Sequence, residues 1–433
     1  SPADKANLQI GDKIIEIDGQ TMKNVNTEDV SELLRGAAGT SVKIKLKTPS
    51  NKIKTVTVTR EKIKTATVPY YELINNNTAY IKLTQFKRKS SQEVKDALID
   101  LDSLANSELT GLILDLRNNP GGLLRECLEI VNLFVPKNDT ILTAKGKNTA
   151  WNKTYITKKD ATYEDLPVVV LINERSASAS EIVAGCLQDL DRGVVMGRNS
   201  FGKGLIQQNQ KLSYNTQLKL TVAKYYTPSG RCIQNKAEEE NKEQGKGDKN
   251  VEKSFFTQNG RSVFGGGGIS PDIEMEEREN AKIVFSLLKD NHIFKFSDNV
   301  FETITFPNAP KEFILTDDLY SEFRNYLEKD SFDFPVYSDE AVLLLEEALD
   351  EEDYLSTVED DIALLKSKIL NAKKMDLARH ETDIRKQLSS ELLLRNFYNR
   401  GVIAHSLQND PYVDSAIDVL NDSLKYIKIL SVK

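Results

Sequence analysis

Three serines alternate with alanines in Ser176-Ala177-Ser178-Ala179-Ser180, and Glu181 follows. An apolar run just before them, Leu166–Ile172 (LPVVVLI), predicts a buried strand, and the residues after them predict a helix. The serines therefore fall on a strand-to-helix turn. A serine at such a turn is held out from the sheet, beside the unpaired N–H groups of the first helical turn. Those groups can stabilise an oxyanion, the charge that develops when a serine attacks a carbonyl. Ser178 to Glu181 also spell a capping box, in which serine and glutamate only tie off the helix start. A nucleophilic serine needs a proton acceptor as well. The three histidines, His292, His380 and His405, all lie beyond the turn-rich middle of the chain, so serine chemistry there must manage without imidazole. Lys203, in Phe201-Gly202-Lys203-Gly204, is the alternative, because Ser-Lys pairs are a variant of the triad. A lysine can act as base only if burial lowers its pKa from about 10.4 towards roughly 7–8. Glycines on either side let the backbone close around it. The structural alternative is an exposed loop lysine. Gly197 to Lys203 also fits the first seven positions of a P-loop, but Gly204 stands where Ser or Thr must hold Mg²⁺. A strand is predicted next where a helix must begin, so the nucleotide reading fails.

At 433 residues the chain has room for two to four domains. Its 39% hydrophobic and 28% charged residues are those of a soluble globular protein. The net charge of −7 gives no hint of nucleic-acid binding. No segment approaches the length of a membrane span. Cys127, Cys186 and Cys232 show no metal spacing and, being odd in number, no disulfide framework. The chain opens at Ser1-Pro2-Ala3-Asp4 apparently in mid-domain, and a processed or trimmed start is expected.

Ser1 to about Arg60 reads as a small domain. Strands are predicted over Lys13–Ile17, Ser41–Leu46 and Lys54–Arg60, with a helix over Thr27–Arg35 capped by Asn26 or Thr27. From Thr65 to about Ile273 strands and helices alternate. Thr78–Leu83 is a strand, Ser91–Leu104 a helix, and Leu109–Leu116 a nearly continuous apolar strand of the kind covered on both faces. A sharp turn, Arg117-Asn118-Asn119-Pro120-Gly121-Gly122, leads into a helix over Leu123–Phe134. Gly193–Gly197, a run from Leu205, and Gln217–Tyr226 are further strands. The charged tract Ala237–Lys253 is expected to be a mobile loop. Beyond Ala281 the chain turns helical and acidic, with amphipathic runs in Asp339–Leu349, Val358–Leu370 and Asp383–Phe397. Their apolar faces (Val342, Leu345, Leu349; Leu392, Leu393, Phe397) must be buried. Docking on the same chain's core is expected over an oligomer partner, since it loses no translational freedom.

The opening run SPADKANLQIGDKIIEIDG resembles the second half of a PDZ domain, whose first strands and carboxylate-binding loop would precede Ser1. LDLRNNPGGLL, NERSASASEIVAGCLQD, GRNSFGKGLIQ, KYYTPSGRCIQ and GGGGISPDI then follow in that order. Together, over Ser1–Ile273, they resemble the C-terminal processing (tail-specific) serine proteases. The resemblance implies an α/β (α+β) chain: a partial PDZ domain over 1–63, a crotonase- or Clp-like β-spiral protease core over 64–280, and a mainly helical extension over 281–433. It makes Ser178 the nucleophile, Lys203 the base and Gln207 the residue that orients the lysine. The oxyanion donors are then the N–H of Ala179 and one from Gly121 or Gly122. Asp189 falls where some members have a functionally sensitive aspartate, and Arg175 replaces the glycine often found before the serine run. No cofactor or metal is implied. The expected partners are protein or peptide substrates with unstructured apolar C-terminal tails, not nucleic acid, with a homo-oligomer left open. The expected location is the bacterial periplasm or cell envelope. The alternative is a PDZ-type adaptor whose protease core is latent.

Overall fold

Apolar residues alternate along Ser41–Lys47, and Val42, Ile44 and Leu46 are buried while Ser41, Lys43 and Lys47 face water. This strand (β3) joins β1 (Lys13–Ile17), β2 (Gln20–Thr21) and β4 (Ile53–Thr59) in an antiparallel sheet of order β2-β1-β3-β4. Ile17 pairs with Ile44 and Ile44 with Val56, so the apolar residues share one face. Two helices accompany the sheet: α1 (Pro2–Lys5), and α2 (Thr27–Leu34), whose cap Asn26 accepts the Asp29 N–H at 2.8 Å.

The computed structural model describes residues 1–63, 65–214, 216–235, 254–276 and 281–431. The charged tract expected over 237–253 lies outside them. Contacts divide the chain into two units, residues 1–64 with 278–408, and residues 65–277 with 409–433. In the first unit the helices Lys282–Lys289, His292–Val300, Asp317–Lys329 and Glu381–Ser406 enclose a core of Phe296, Phe323, Leu388, Leu392 and Leu393. Arg395 links them to the small sheet domain by hydrogen bonding both the Asp298 carboxylate and the Ile10 carbonyl. The expected burial of the apolar helix faces holds at Leu392 and Leu393, both 0% exposed, and fails at Leu345, 43% exposed. Leu345 lies in a helical pair, Tyr337–Glu351 and Leu355–Arg379, that packs chiefly on itself. Beyond the pair, Leu355–Arg379 makes a lesser contact with Glu381–Ser406, which leaves the outer leucines in water.

The second unit is built on a six-stranded sheet of order β16-β11-β10-β7-β6-β5. Its members are β5 (Tyr70–Ile74), β6 (Thr78–Lys82), β7 (Gly111–Asp115), β10 (Val168–Ile172), β11 (Val194–Gly197) and β16 (Ile273–Glu274). All neighbours pair in parallel except β5 with β6. Leu112, Leu114, Val168 and Val170 share one core with α3 (Ser90–Leu104), α4 (Leu124–Val131) and α5 (Ala179–Asp189). Their alternates Ile113 and Val169 are equally buried. The C-terminal helix Pro411–Asn421 contacts β7, β10 and β11, and Leu420 lies so close to Gly111 that a Cβ there would come within 2.7 Å of it. This explains why the strands are apolar throughout: both faces are covered. Residues 409–431, the last part of the helical extension drawn from the sequence, group by their contacts with this unit. A second sheet, order β12-β13-β8-β9, comprises β8 (Thr140–Lys145), β9 (Lys153–Ile156), β12 (Leu205–Lys211) and β13 (Gln217–Tyr226), and β14 (Ser254–Phe256) pairs antiparallel with β15 (Ser262–Phe264).

Candidate active site

Ser178 is the N-cap residue of α5, with φ of +55°. That conformation is strained for a residue with a side chain and is held only where its surroundings insist on it. The two flanking serines supply part of that hold. The fully buried Ser176 donates its hydroxyl to the Leu116 carbonyl at 2.9 Å, and the equally buried Ser180 donates to the Asn119 carbonyl at 2.9 Å. They pin the turn to the end of β7 and the loop beyond it. The middle serine is left half-buried, and its hydroxyl closes no cap hydrogen bond. Arg175 is exposed and has no positive φ, so the turn does not require glycine there.

Half of the anticipated capping box forms: the Ser178 N–H donates to Glu181 Oε2 at 2.7 Å. Glu181, however, is completely buried and does more than cap. Its Oε2 also accepts the Lys203 N–H at 2.9 Å, while Oε1 accepts the Gly202 N–H at 2.7 Å and the Ser200 hydroxyl at 2.6 Å. The loop amides that mimic a P-loop therefore converge on the chain's own carboxylate. On the other side, the buried Tyr225 hydroxyl is shared between the carbonyls of Ser178, at 3.2 Å, and Lys203. Burial pushes the Glu181 carboxyl above the ordinary carboxylate range, although its four hydrogen bonds favour the charged form. Burial, with the nearby Glu181 charge, pushes the Tyr225 phenol well up, so it remains a donor.

Ser178 and Lys203 are thus joined through their backbones at both N–H and C=O. Among the described residues no hydrogen bond joins the Ser178 hydroxyl to the Lys203 amine. Nucleophile–base contacts are commonly loose before substrate binds. Gln207 forms no hydrogen bond with Lys203 among the described residues. It is exposed on β12, opposite Thr221 and just past a bulge at Ile206/Gln207, and its amide forms no hydrogen bond among the described residues.

The loop after β7 presses on the Ser178 turn. Asn119, fully buried, donates its side-chain amide to the Leu83 carbonyl at 2.9 Å and accepts the Ala177 N–H on its own carbonyl at 3.0 Å. Gly121 has φ of +94°, and a Cβ there would lie 2.5 Å from the Ala177 carbonyl oxygen and 2.9 Å from the Ala179 nitrogen. Its N–H is taken by Asn119 Oδ1 at 2.9 Å. The N–H groups of Gly122 and Ala179 have no acceptor among the described residues. Of the two glycines that the sequence left open, Gly122 has the available donor.

At the start of this loop the buried Asp115 accepts from Tyr80 Oη at 2.7 Å and from Arg117 Nη2 at 2.7 Å, with Lys82 Nζ 2.9 Å away. Burial alone would raise its carboxyl, but Arg117 and Lys82 hold it well below the usual carboxylate range. Asp189 sits at the far end of α5, roughly 16 Å from Ser178 at about 1.5 Å per residue. It pairs with Arg231 at 2.7 Å, both fully buried, and accepts the Ser229 N–H at 3.0 Å. It braces the turn after β13 rather than the reacting end. Among the described residues no group of His, Cys, Asp or Glu converges as a metal site.

Sequence reasoning passed over Glu181, beyond its cap role, and Tyr225 entirely. Glu181 carried a usable signal: it is a lone acid in a helix otherwise made of small and apolar residues as far as Cys186 and Leu187. Tyr225 carried none, because its role depends on β13 running beside both the turn and the loop.

Residues 77–244 match the model of peptidase family S41, residues 1–48 that of a PDZ domain, and residues 283–420 the C-terminal helical domain of probable PDZ-proteases. The chain is 36% identical over 241 residues to the chloroplastic carboxyl-terminal-processing peptidase 3 of Arabidopsis thaliana, covering 53% of this chain and 46% of the relative. It is 35% identical over 236 residues to the carboxy-terminal processing protease CtpA of Bacillus subtilis, covering 54% and 49% respectively. The chain thus spans about half the length of the curated relatives it matches. A solved photosystem II D1 C-terminal processing protease is 28% identical and covers 64% of this chain and 66% of its own, with a TM-score of 0.38.

Proposed function

We propose that this chain, which is similar to the carboxy-terminal-processing proteases and matches the peptidase family S41 model over residues 77–244, is a serine endopeptidase cutting proteins near their C-termini. One observation carries the proposal. The backbones of Ser178 and Lys203 share one carboxylate oxygen and one phenolic hydroxyl, beside two N–H groups without acceptors among the described residues. Ser178 Oγ attacks the scissile carbonyl carbon while Lys203 Nζ takes its proton. The N–H groups of Ala179 and Gly122 receive the oxyanion. Lys203 then returns the proton to the departing amine, and water, deprotonated by the same lysine, hydrolyses the acyl-enzyme. Substrates are polypeptides with unstructured apolar tails, which the PDZ half recognises or gates. A bacterial periplasmic or cell-envelope location belongs to the same proposal and rests on the family resemblance.

A second reading, a PDZ adaptor with a latent core, is favoured by the missing Ser178–Lys203 side-chain hydrogen bond. Incubation with an unstructured apolar-tailed polypeptide, with cuts located by mass spectrometry, separates the two. Hydrolysis near the C-terminus that is abolished in Ser178→Ala and in Lys203→Ala is the expected result, because nucleophile and base act as a unit. An uncut substrate favours the adaptor. Cutting that survives Ser178→Ala means the nucleophile is misassigned.

A further inference from the structure

Arg117 opens the loop that ends in Gly122, and its guanidinium is gripped from both sides. Asp115 accepts Nε at 3.0 Å and Nη2 at 2.7 Å, and Asp410 accepts Nη1 at 3.1 Å and Nη2 at 2.7 Å. The second grip comes from a residue 293 positions along the chain. Asp410 caps the helix Pro411–Asn421, accepting the Tyr412 N–H at 3.0 Å, and the Tyr412 ring lies 5.1 Å from the guanidinium carbon. Two-pronged contacts of this kind fix direction as well as distance.

The charges around the loop balance only with Asp410 included. Lys82 and Arg117 are two largely buried cations, and Asp115 is a single buried anion between them. Asp410 supplies the second negative charge. Removing one partner of a buried cluster leaves a charge that must find water. Here the guanidinium cannot swing out alone. The Arg117 N–H is bonded to Asp115 Oδ1 at 2.9 Å, and its carbonyl accepts Lys82 Nζ at 3.1 Å, so the start of the loop moves with it.

We propose that Asp410 is a positioning residue: by gripping Arg117 from the C-terminal segment, it sets the loop that presents the Gly122 N–H to the oxyanion. The consequence for catalysis rests on the protease reading above, whereas the effect on the loop does not.

Asp410→Asn separates this role from capping, because asparagine is an equally good N-cap but turns an amide N–H towards the guanidinium. In the full chain, D410N is expected to lower kcat on an apolar-tailed peptide about tenfold. KM should stay within about twofold, the pattern of an interaction made in the transition state. Labelling of Ser178 by a fluorophosphonate, whose phosphoryl oxygen must enter the oxyanion site, should slow by a similar factor. Amide hydrogen exchange should accelerate across residues 117–123 and stay unchanged across 411–421. Arg117→Lys, which keeps the charge but cannot grip two carboxylates at once, should show the same exchange pattern. Unchanged exchange over 117–123 in either variant overturns the proposal, as does a D410N effect confined to 411–421. If the unmodified protein neither cuts nor labels, the protease reading falls, while the exchange measurement still decides whether Asp410 sets the loop.

Discussion

Two fully buried carboxylates flank the candidate site and are held by opposite means. Glu181 has no cationic partner among the described residues, and each of its oxygens accepts two neutral donors. Asp115 lies between Lys82 and Arg117, with Asp410 completing the cluster. Burial therefore wins at Glu181 and raises its carboxyl, while the cations win at Asp115 and depress it. Neutral donors are directional and short in range, so Glu181 acts as a template that sets backbone positions at Ser178, Gly202 and Lys203. The ion cluster is longer in range and anchors the start of the loop that ends in Gly122 to strands and to the C-terminal segment. The Ser178 side is aligned by hydrogen-bond geometry and the Gly122 side by charge.

Glu181→Gln tests this contrast most severely. Either amide orientation turns an N–H₂ towards two donors, and we expect about a hundredfold loss of hydrolysis, comparable to losing an oxyanion contact. A variant retaining more than a tenth of the rate would show that Ser178 and Lys203 align without this template. Tyr225→Phe removes only the hydroxyl shared by the two carbonyls, and a loss of about tenfold in kcat is expected. Equal losses in the two variants would mean that the phenol and the carboxylate are not separable supports.

Acidification should pull the two carboxylates apart. The raised Glu181 carboxyl takes up its proton above the ordinary value of about 4.3, and because folding favours that protonated form, acid relieves rather than unfolds it. A protonated Glu181 nevertheless holds its donors less well. The depressed Asp115 stabilises the fold above about 3.9, the unfolded-chain value, and that stability drains only as pH falls further towards its folded pKa. Hydrolysis should therefore fail on acidification before the fold does. Rates and the fluorescence of Trp151, the single tryptophan, measured on the same samples, check this. A simultaneous fall in both would sink it. The smallest effects belong to the outer serines. Ser180→Ala loses its hydrogen bond to the Asn119 carbonyl, and Ser176→Ala loses both that to the Leu116 carbonyl and the one accepted from the Asn173 N–H at 2.9 Å, each worth about 1 kcal/mol of stability. Thermal melts should drop by a few degrees, with most of the activity retained.

Much of the local structure was legible from residue order. The strands Lys13–Ile17 and Gln217–Tyr226 run where their pattern put them. The helix expected at Ser91–Leu104 begins one residue earlier, at Ser90. The strand-to-helix turn at Ser178 was marked by its flanking runs, and the absence of histidine from residues 65–277 was plain. These features depend on neighbours within a turn or a strand, over which periodicity and capping chemistry act. What fills the four hydrogen-bond positions on Glu181, where Gln207 points, and which of Gly121 and Gly122 keeps its N–H were decided only by folding. So was the return of residues 409–431 to the sheet: an apolar stripe demands cover but does not name the surface that provides it. Asp410 shows the limit most clearly. Its neighbours Asn409 and Pro411 mark it as a helix cap, but its grip on Arg117 depends on the distant chain segments meeting, and no pattern along the sequence encodes that encounter.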